Sequence, residues 1–167
     1  MDTRTEHAAM KKGNRIFSEK EIQYLKSQRI ARIATASVSS HKEEAGVENG
    51  SIQPDVVPVG FDIDGEYLYI GGMNILKTTK YKNVLKNNKV AIVIDDLKSV
   101  DPWDPRGIRI YGTTDIVTRH VTLSSERIQE TAPPPQTDYI RIKPERKWSW
   151  GIDEPVFVEG RFNVKKS

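Results

Sequence analysis

The 167-residue chain has no cysteine, and that one absence removes disulfides, thiolate nucleophiles, CxxC zinc sites and Cys-ligated iron–sulfur clusters together. An intracellular protein fits best. No apolar run approaches the roughly 20 residues of a membrane span, and Met1 to Arg15 lacks the hydrophobic segment of a signal peptide. A cytoplasmic protein with no membrane partner is expected. The three histidines, at 7, 41 and 120, form no HExxH or other paired spacing, and no GxSxG, GxxxxGK[ST] or helix-opening GxGxxG occurs. Zincin, hydrolase and P-loop chemistry therefore lack support. Charge of one sign is also scarce: 26 Lys+Arg stand against 23 Asp+Glu, a net of +3, so no nucleic-acid partner is expected. Apolar residues make up only 37%. Such a chain builds a modest core for its length and gains by burying surface against a second copy of itself.

Three regions follow from the patterning: a flexible N-terminal arm (1–15), a main domain (16–151) and a C-terminal extension (152–167). Ser18-Glu19-Lys20-Glu21 has the form of a capping box and opens a short helix through about Gln28. Residues 30–36 alternate as a half-buried strand does, and Ser39 to Ser51 is a polar, Gly-containing loop. Residues 55–62 and 67–70 are expected to pair as a hairpin across Asp64-Gly65. Pro58 cannot donate to a ladder, which marks a strand edge or bulge. Residues 78–87 carry helical spacing, and Val90 to Ile94 reads as a buried central strand. A Pro-rich connection then leads to strands over 107–117 and 138–143, with a last short strand within 155–162. Trp148 and Trp150 are read as dividing between core and cleft. This order excludes βαβ alternation and favours a mainly β fold with short α-helices, a small antiparallel barrel.

Two segments carry candidate chemistry. In residues 71–83 (GGMNILKTTKYKN), glycines after a strand let backbone N–H groups approach a ligand. Thr78 and Thr79 offer hydroxyls near a helix start, where an anion is favoured, and Lys77, Lys80 and Lys82 add positive charge. The bland alternative is a solvated lysine face. In residues 95–107, two prolines fix a connection that presents Trp103 as a stacking surface beside Arg106 as a cation. Asp95, Asp96, Asp101 and Asp104 lack the ligand alternation of a calcium loop, so no metal is expected.

Taken together, Tyr24-Leu25 with Gln28, Ala31 to Thr35, Pro58 to Phe61, Ile70-Gly71-Gly72 with Thr79 to Asn83, Asp95-Asp96, Asp101-Pro102-Trp103, Pro105 to Ile108 and Ser149-Trp150-Gly151 resemble a known group. This is the split β-barrel superfamily of the FMN-binding and pyridoxamine 5′-phosphate oxidase type, in its F420-dependent branch. The resemblance implies a homodimer with cofactor sites at the subunit interface. It implies that Pro58, Val59 and Gly60 lie along the ring edge of the cofactor. Lys80 and the residues just before it, Lys77, Thr78 and Thr79, would meet its phosphate region or ring edge, with Gly71, Met73 and Asn83 also cofactor-binding, and Trp103 and Arg106 would complete the site from the neighbouring subunit. Coenzyme F420 is the expected cofactor, with FMN as the alternative. Hydride transfer to or from a small unsaturated organic molecule is the expected activity; a flavin- or haem-binding carrier without turnover is the rival. No catalytic side chain is singled out, because such a cofactor performs the bond making itself.

Overall fold

The computed structural model describes residues 15–38, 52–72, 74–120 and 136–167. The polar loop expected at 39–51 and all but the last residue of the N-terminal arm lie outside these. Helix α1 (Glu19–Ser27) starts where the capping box predicts. The Ser18 hydroxyl accepts from the Glu21 N–H at 3.1 Å, and the Glu21 carboxylate accepts from the Ser18 N–H at 2.8 Å. Each bond satisfies a donor that a helix start leaves orphaned.

Strands β1 (Ile30–Val38), β2 (Ile52–Gly60), β3 (Asp62–Asp64), β4 (Tyr67–Ile70), β5 (Lys89–Ser99), β6 (Asp104–His120) and β7 (Gln136–Trp150) form one antiparallel sheet in the order β2-β1-β5-β6-β7-β4-β3. A short 3₁₀ turn (Ile75–Lys77) and helix α2 (Thr79–Lys86) sit between β4 and β5. The strands at the two ends of this order, β2 and β3, are joined through the single residue Phe61. The sheet therefore curls until its ends meet at a seam without ladder hydrogen bonds, which is a split barrel. The expected hairpin across Asp64-Gly65 forms between β3 and β4, but its first strand is corrected: residues 55–62 are not one strand, because the chain turns at Phe61 from pairing with β1 to pairing with β4. Pro58 lies on the end strand β2, where a missing donor is tolerated.

Three further expectations change. Val90, Ile92 and Ile94 are buried, but Ala91 and Val93 on the alternate face are only half-buried, so β5 packs on one face rather than two. Asp95 to Ser99 and Asp104 to Arg106 extend β5 and β6, which leaves a connection of only four residues, 100–103. Strand β7 runs straight through Pro144, which pairs with Gly112 at a bulge in the β6 ladder. Pairing with β4 covers only Ile140 to Ile142, so the proline falls where no ladder donor is needed. A Cβ on Gly112 would stand 2.4 Å from the Lys143 carbonyl oxygen, so the bulge closes only over glycine.

Ile33, Leu68, Ile70, Ile92, Ile94, Ile108, Ile110, Ile140 and Ile142 are fully buried inside the barrel. Each contributes about 1.5–3 kcal/mol of transfer free energy. Phe17 and Leu25 bring α1 onto this core, and Val84 brings α2. One buried contact is ionic. The Lys147 ammonium donates to both oxygens of Glu21 at 2.5 and 2.6 Å, and the Ser149 hydroxyl donates to Glu21 at 2.6 Å, all fully shielded from water. The C-terminal residues are tied to the same place. Lys165 pairs with Asp153 at 2.8 Å, Ser18 donates to Asp153 at 2.8 Å, and Ser167 exchanges backbone bonds with Lys147. Strands β8 (Phe157–Val158) and β9 (Arg161–Phe162) make a small hairpin, and β10 (Lys165–Lys166) pairs with β7.

Candidate functional site

Of the sequence candidates, Gly60 and Gly71 line one recess and Trp103 and Arg106 line another, and the two recesses share no lining residue. The first, about 490 Å³, lies where β2 and β4 end; its lining includes Gly60, Phe61, Tyr69, Gly71, Gly72 and Tyr139. Gly71 presses against the Tyr139 ring so closely that a Cβ would stand 2.4 Å from Cε1. Gly72 leaves the strand with φ at +143°, a conformation reserved to glycine. The space beside Gly71 is thus taken by Tyr139, whereas the backbone at Gly60 and Gly72 stays open beside the two tyrosines of the lining.

Beyond this recess, Lys77 and Lys82 are exposed and Lys80 is half-buried, all at the 3₁₀ turn and first turn of α2. Two neighbouring candidates are engaged in holding the backbone. The Thr78 hydroxyl donates to the Ile75 carbonyl at 2.7 Å and accepts from the Tyr81 N–H, which caps α2. Asn83 is buried; it donates to Thr35 at 3.0 Å and accepts from Ser37 at 2.7 Å, which docks α2 on β1. Thr79 stays exposed. Pro58 is exposed on β2, whereas the Val59 side chain is in the core. Met73 lies outside the described residues.

The second recess is a cleft of about 650 Å³ on the outer face of β5, β6 and β7. Cross-strand register builds it: Val93, Arg109 and Trp148 lie side by side, as do Asp95, Gly107 and Trp150. Trp148 and Trp150 do not divide between core and cleft. Two residues apart on one strand, they share a face, and both line the cleft. Gly107 makes room for the second, since a Cβ there would stand 2.5 Å from Trp150 Cζ2.

Arg106 reaches this cleft held from behind. Its Nε and Nη2 donate to the two oxygens of Asp96 at 2.7 and 2.9 Å, and Gln28 donates to the same carboxylate at 3.1 Å. The Tyr24 hydroxyl lies 3.3 Å from Asp96 and 3.4 Å from the Arg106 carbonyl, with the guanidinium 5.0 Å over the Tyr24 ring. Hydrogen bonding from Arg106 holds the Asp96 carboxyl below its ordinary range. Burial, followed by the Asp96 charge, pushes the Tyr24 phenol well above its own range, so Tyr24 remains a donor. Residues far apart in sequence thus fix the strand end that carries Arg106 and the turn before it. Trp103, on that turn, is 55% exposed and meets Phe157 with ring centroids 5.9 Å apart and the rings tilted by 46°.

Sequence reasoning did not single out Tyr69 and Tyr139 at the first recess, or Arg109 and Phe162 at the second. Strand alternation puts Tyr139 with Arg141 and Arg109 with Tyr111 on the outer face, which is the signal that was available. Among the described residues no helix is long and apolar enough to cross a membrane.

A family model described as pyridoxamine 5′-phosphate oxidase matches residues 18–151. The chain is 37% identical over 139 residues to a 5a,11a-dehydrotetracycline/5a,11a-dehydrooxytetracycline reductase of Streptomyces rimosus, spanning 82% of this chain and 84% of that one. Among solved structures it is similar to HupZ of Group A Streptococcus, with a TM-score of 0.53 at 18% identity, covering 81% of this chain and 95% of that chain. It is likewise similar to a conserved hypothetical protein of Mycobacterium tuberculosis, with a TM-score of 0.52 at 18% identity, covering 81% and 86%.

Proposed function

The chain belongs to the pyridoxamine 5′-phosphate oxidase family, and we propose that within it the protein is an oxidoreductase using coenzyme F420 to reduce a small unsaturated organic molecule. The observation that carries this reading is the pairing of a glycine-backed, tyrosine-flanked recess with a row of lysines on the next turn. The S. rimosus relative, a reductase by name of dehydro compounds, supports reduction of a carbon–carbon double bond as the reaction class.

When bound, the deazaflavin supplies the hydride. The chain's own residues bind and orient. Gly60 and Gly72 let the ring approach the backbone, Gly71 seats the Tyr139 ring, and Tyr69 and Tyr139 flank the cofactor. Lys77 and Lys80, with the Thr79 hydroxyl, face the anionic part, while the bonds of Thr78 and Asn83 keep that turn in place. A phosphodiester with a polyglutamate tail suits dispersed cations, whereas the monophosphate of FMN suits a compact cluster of donors. The spread of Lys77, Lys80 and Lys82 favours the former. Trp103 and Arg106 lie in a different recess of the same chain, so in this reading they complete the site of a second copy in a homodimer. Holding both reactants in register accounts for much of the rate without an acid–base pair.

The test is a fluorescence titration with F420 and FMN at two salt concentrations. Preferential, salt-sensitive F420 binding, weakened at least tenfold by Lys80→Ala, is the expected result, followed by repeated turnover with an unsaturated acceptor. Tight binding of FMN alone, or stoichiometric binding without turnover, would overturn it.

A further inference from the structure

The family match ends at residue 151, yet the residues after it line the second cleft. Phe162 and Val164 stand among its lining residues. Aromatic contacts run without a break from Trp103 to Phe157 (5.9 Å), Phe162 (5.8 Å) and Trp150 (6.5 Å). The segment is fixed there rather than loosely appended. It is tied by β10 on β7, by the Lys165–Asp153 pair and by the Ser167 backbone on Lys147.

Strand β7 shows the same bias towards the cleft. At its end the polar residues Lys147 and Ser149 point inward to Glu21, and the tryptophans at 148 and 150 point outward. This reverses ordinary strand polarity. Large aromatics facing out in one patch mark a ligand groove or an interaction surface. The charges in the cleft are uneven too. Arg32 is paired with Asp95 and Arg106 with Asp96. Arg109 has no carboxylate partner among the described residues and lies 4.3 Å over the Trp148 ring, which leaves its N–H groups for a ligand.

Resting on the reductase reading above, we infer that this cleft binds the acceptor as a flat, fused-ring molecule bearing an anionic oxygen. Phe162 of the C-terminal extension is the specificity-determining wall, and Arg109 is the partner of the anion. The cleft selects ring number; the lysine turn holds cofactor.

The experiment is equilibrium dialysis of the full chain against anthraquinone-2-sulfonate, with three fused rings, and benzenesulfonate, with one. The wild type is expected to favour the three-ring probe at least tenfold. Phe162→Ala should weaken that probe about fivefold, the loss of one aromatic contact, with Phe162→Leu intermediate and F420 or FMN affinity within twofold of wild type. Arg109→Gln should weaken both sulfonates. No preference for three rings, an unchanged affinity in Phe162→Ala, or a parallel loss of cofactor binding would overturn the inference. Ring preference lost on Phe162→Ala in a protein that binds neither cofactor would support the cleft assignment and refute the cofactor reading instead.

Discussion

Replacing Glu21 with Gln tests how α1 is held to the barrel. The substitution keeps shape and an acceptor oxygen for the Ser18 N–H, so the capping box survives. It removes the charge that faces Lys147 and puts an amide N–H₂ near an ammonium already fully buried. A buried pair contributes little net stability when intact, because desolvation offsets attraction. Breaking it strands the survivor and costs about 3–5 kcal/mol. For a chain of this size that is roughly 6–20 °C in Tm. Lys147→Met removes the other partner and should cost a similar amount. The double variant leaves a neutral amide beside Ser149 and a thioether, with no charge stranded. Urea unfolding followed by tryptophan fluorescence would give the four free energies of the cycle. A coupling of at least about 2 kcal/mol is expected, the double variant being more stable than the two single losses summed. Additive losses, or a Glu21→Gln protein within about 1 kcal/mol of wild type, would refute the claim that this pair anchors the helix.

Asp96→Asn tests the node behind Arg106. Folding lowers the Asp96 pKa, chiefly through hydrogen bonds from Arg106, so its contribution is complete above the unfolded value near 3.8 and is lost as pH falls through the lower folded value. The variant should be less stable by about 1–2 kcal/mol at neutral pH, with a gap that closes below about pH 4; a gap independent of pH in acid would refute it. Gly71→Ala tests the first recess. Its backbone needs no positive φ, so the expected effect is displacement of Tyr139, whose ring the new Cβ would meet at 2.4 Å. Cofactor affinity should fall at least tenfold, with Tm changing by less than about 5 °C; unchanged affinity by titration would remove this recess from the cofactor site.

What was legible in the sequence was local. Ser18 and Glu21 announce a helix because the box closes within one turn, and Pro58 announces a strand edge because it lacks a donor. The Tyr24, Gln28, Asp96 and Arg106 motif residues could be marked but not joined, since only the folded sheet brings positions 24 and 96 within 3.3 Å. The turn at Phe61 and the passage of β7 through Pro144 escaped for a related reason. Each depends on which strand lies alongside, and pairing partners leave no trace in a single strand's alternation. Lys147 and Ser149 are the telling case. Read by polarity, the segment Arg146 to Trp150 would turn its tryptophans inward and its lysine to water. The structure does the reverse because Glu21, 126 residues away, supplies a charge that makes the buried lysine tolerable. One acid on α1 thus decides which way five residues of β7 face, and so places Trp148 and Trp150 where a ligand can meet them.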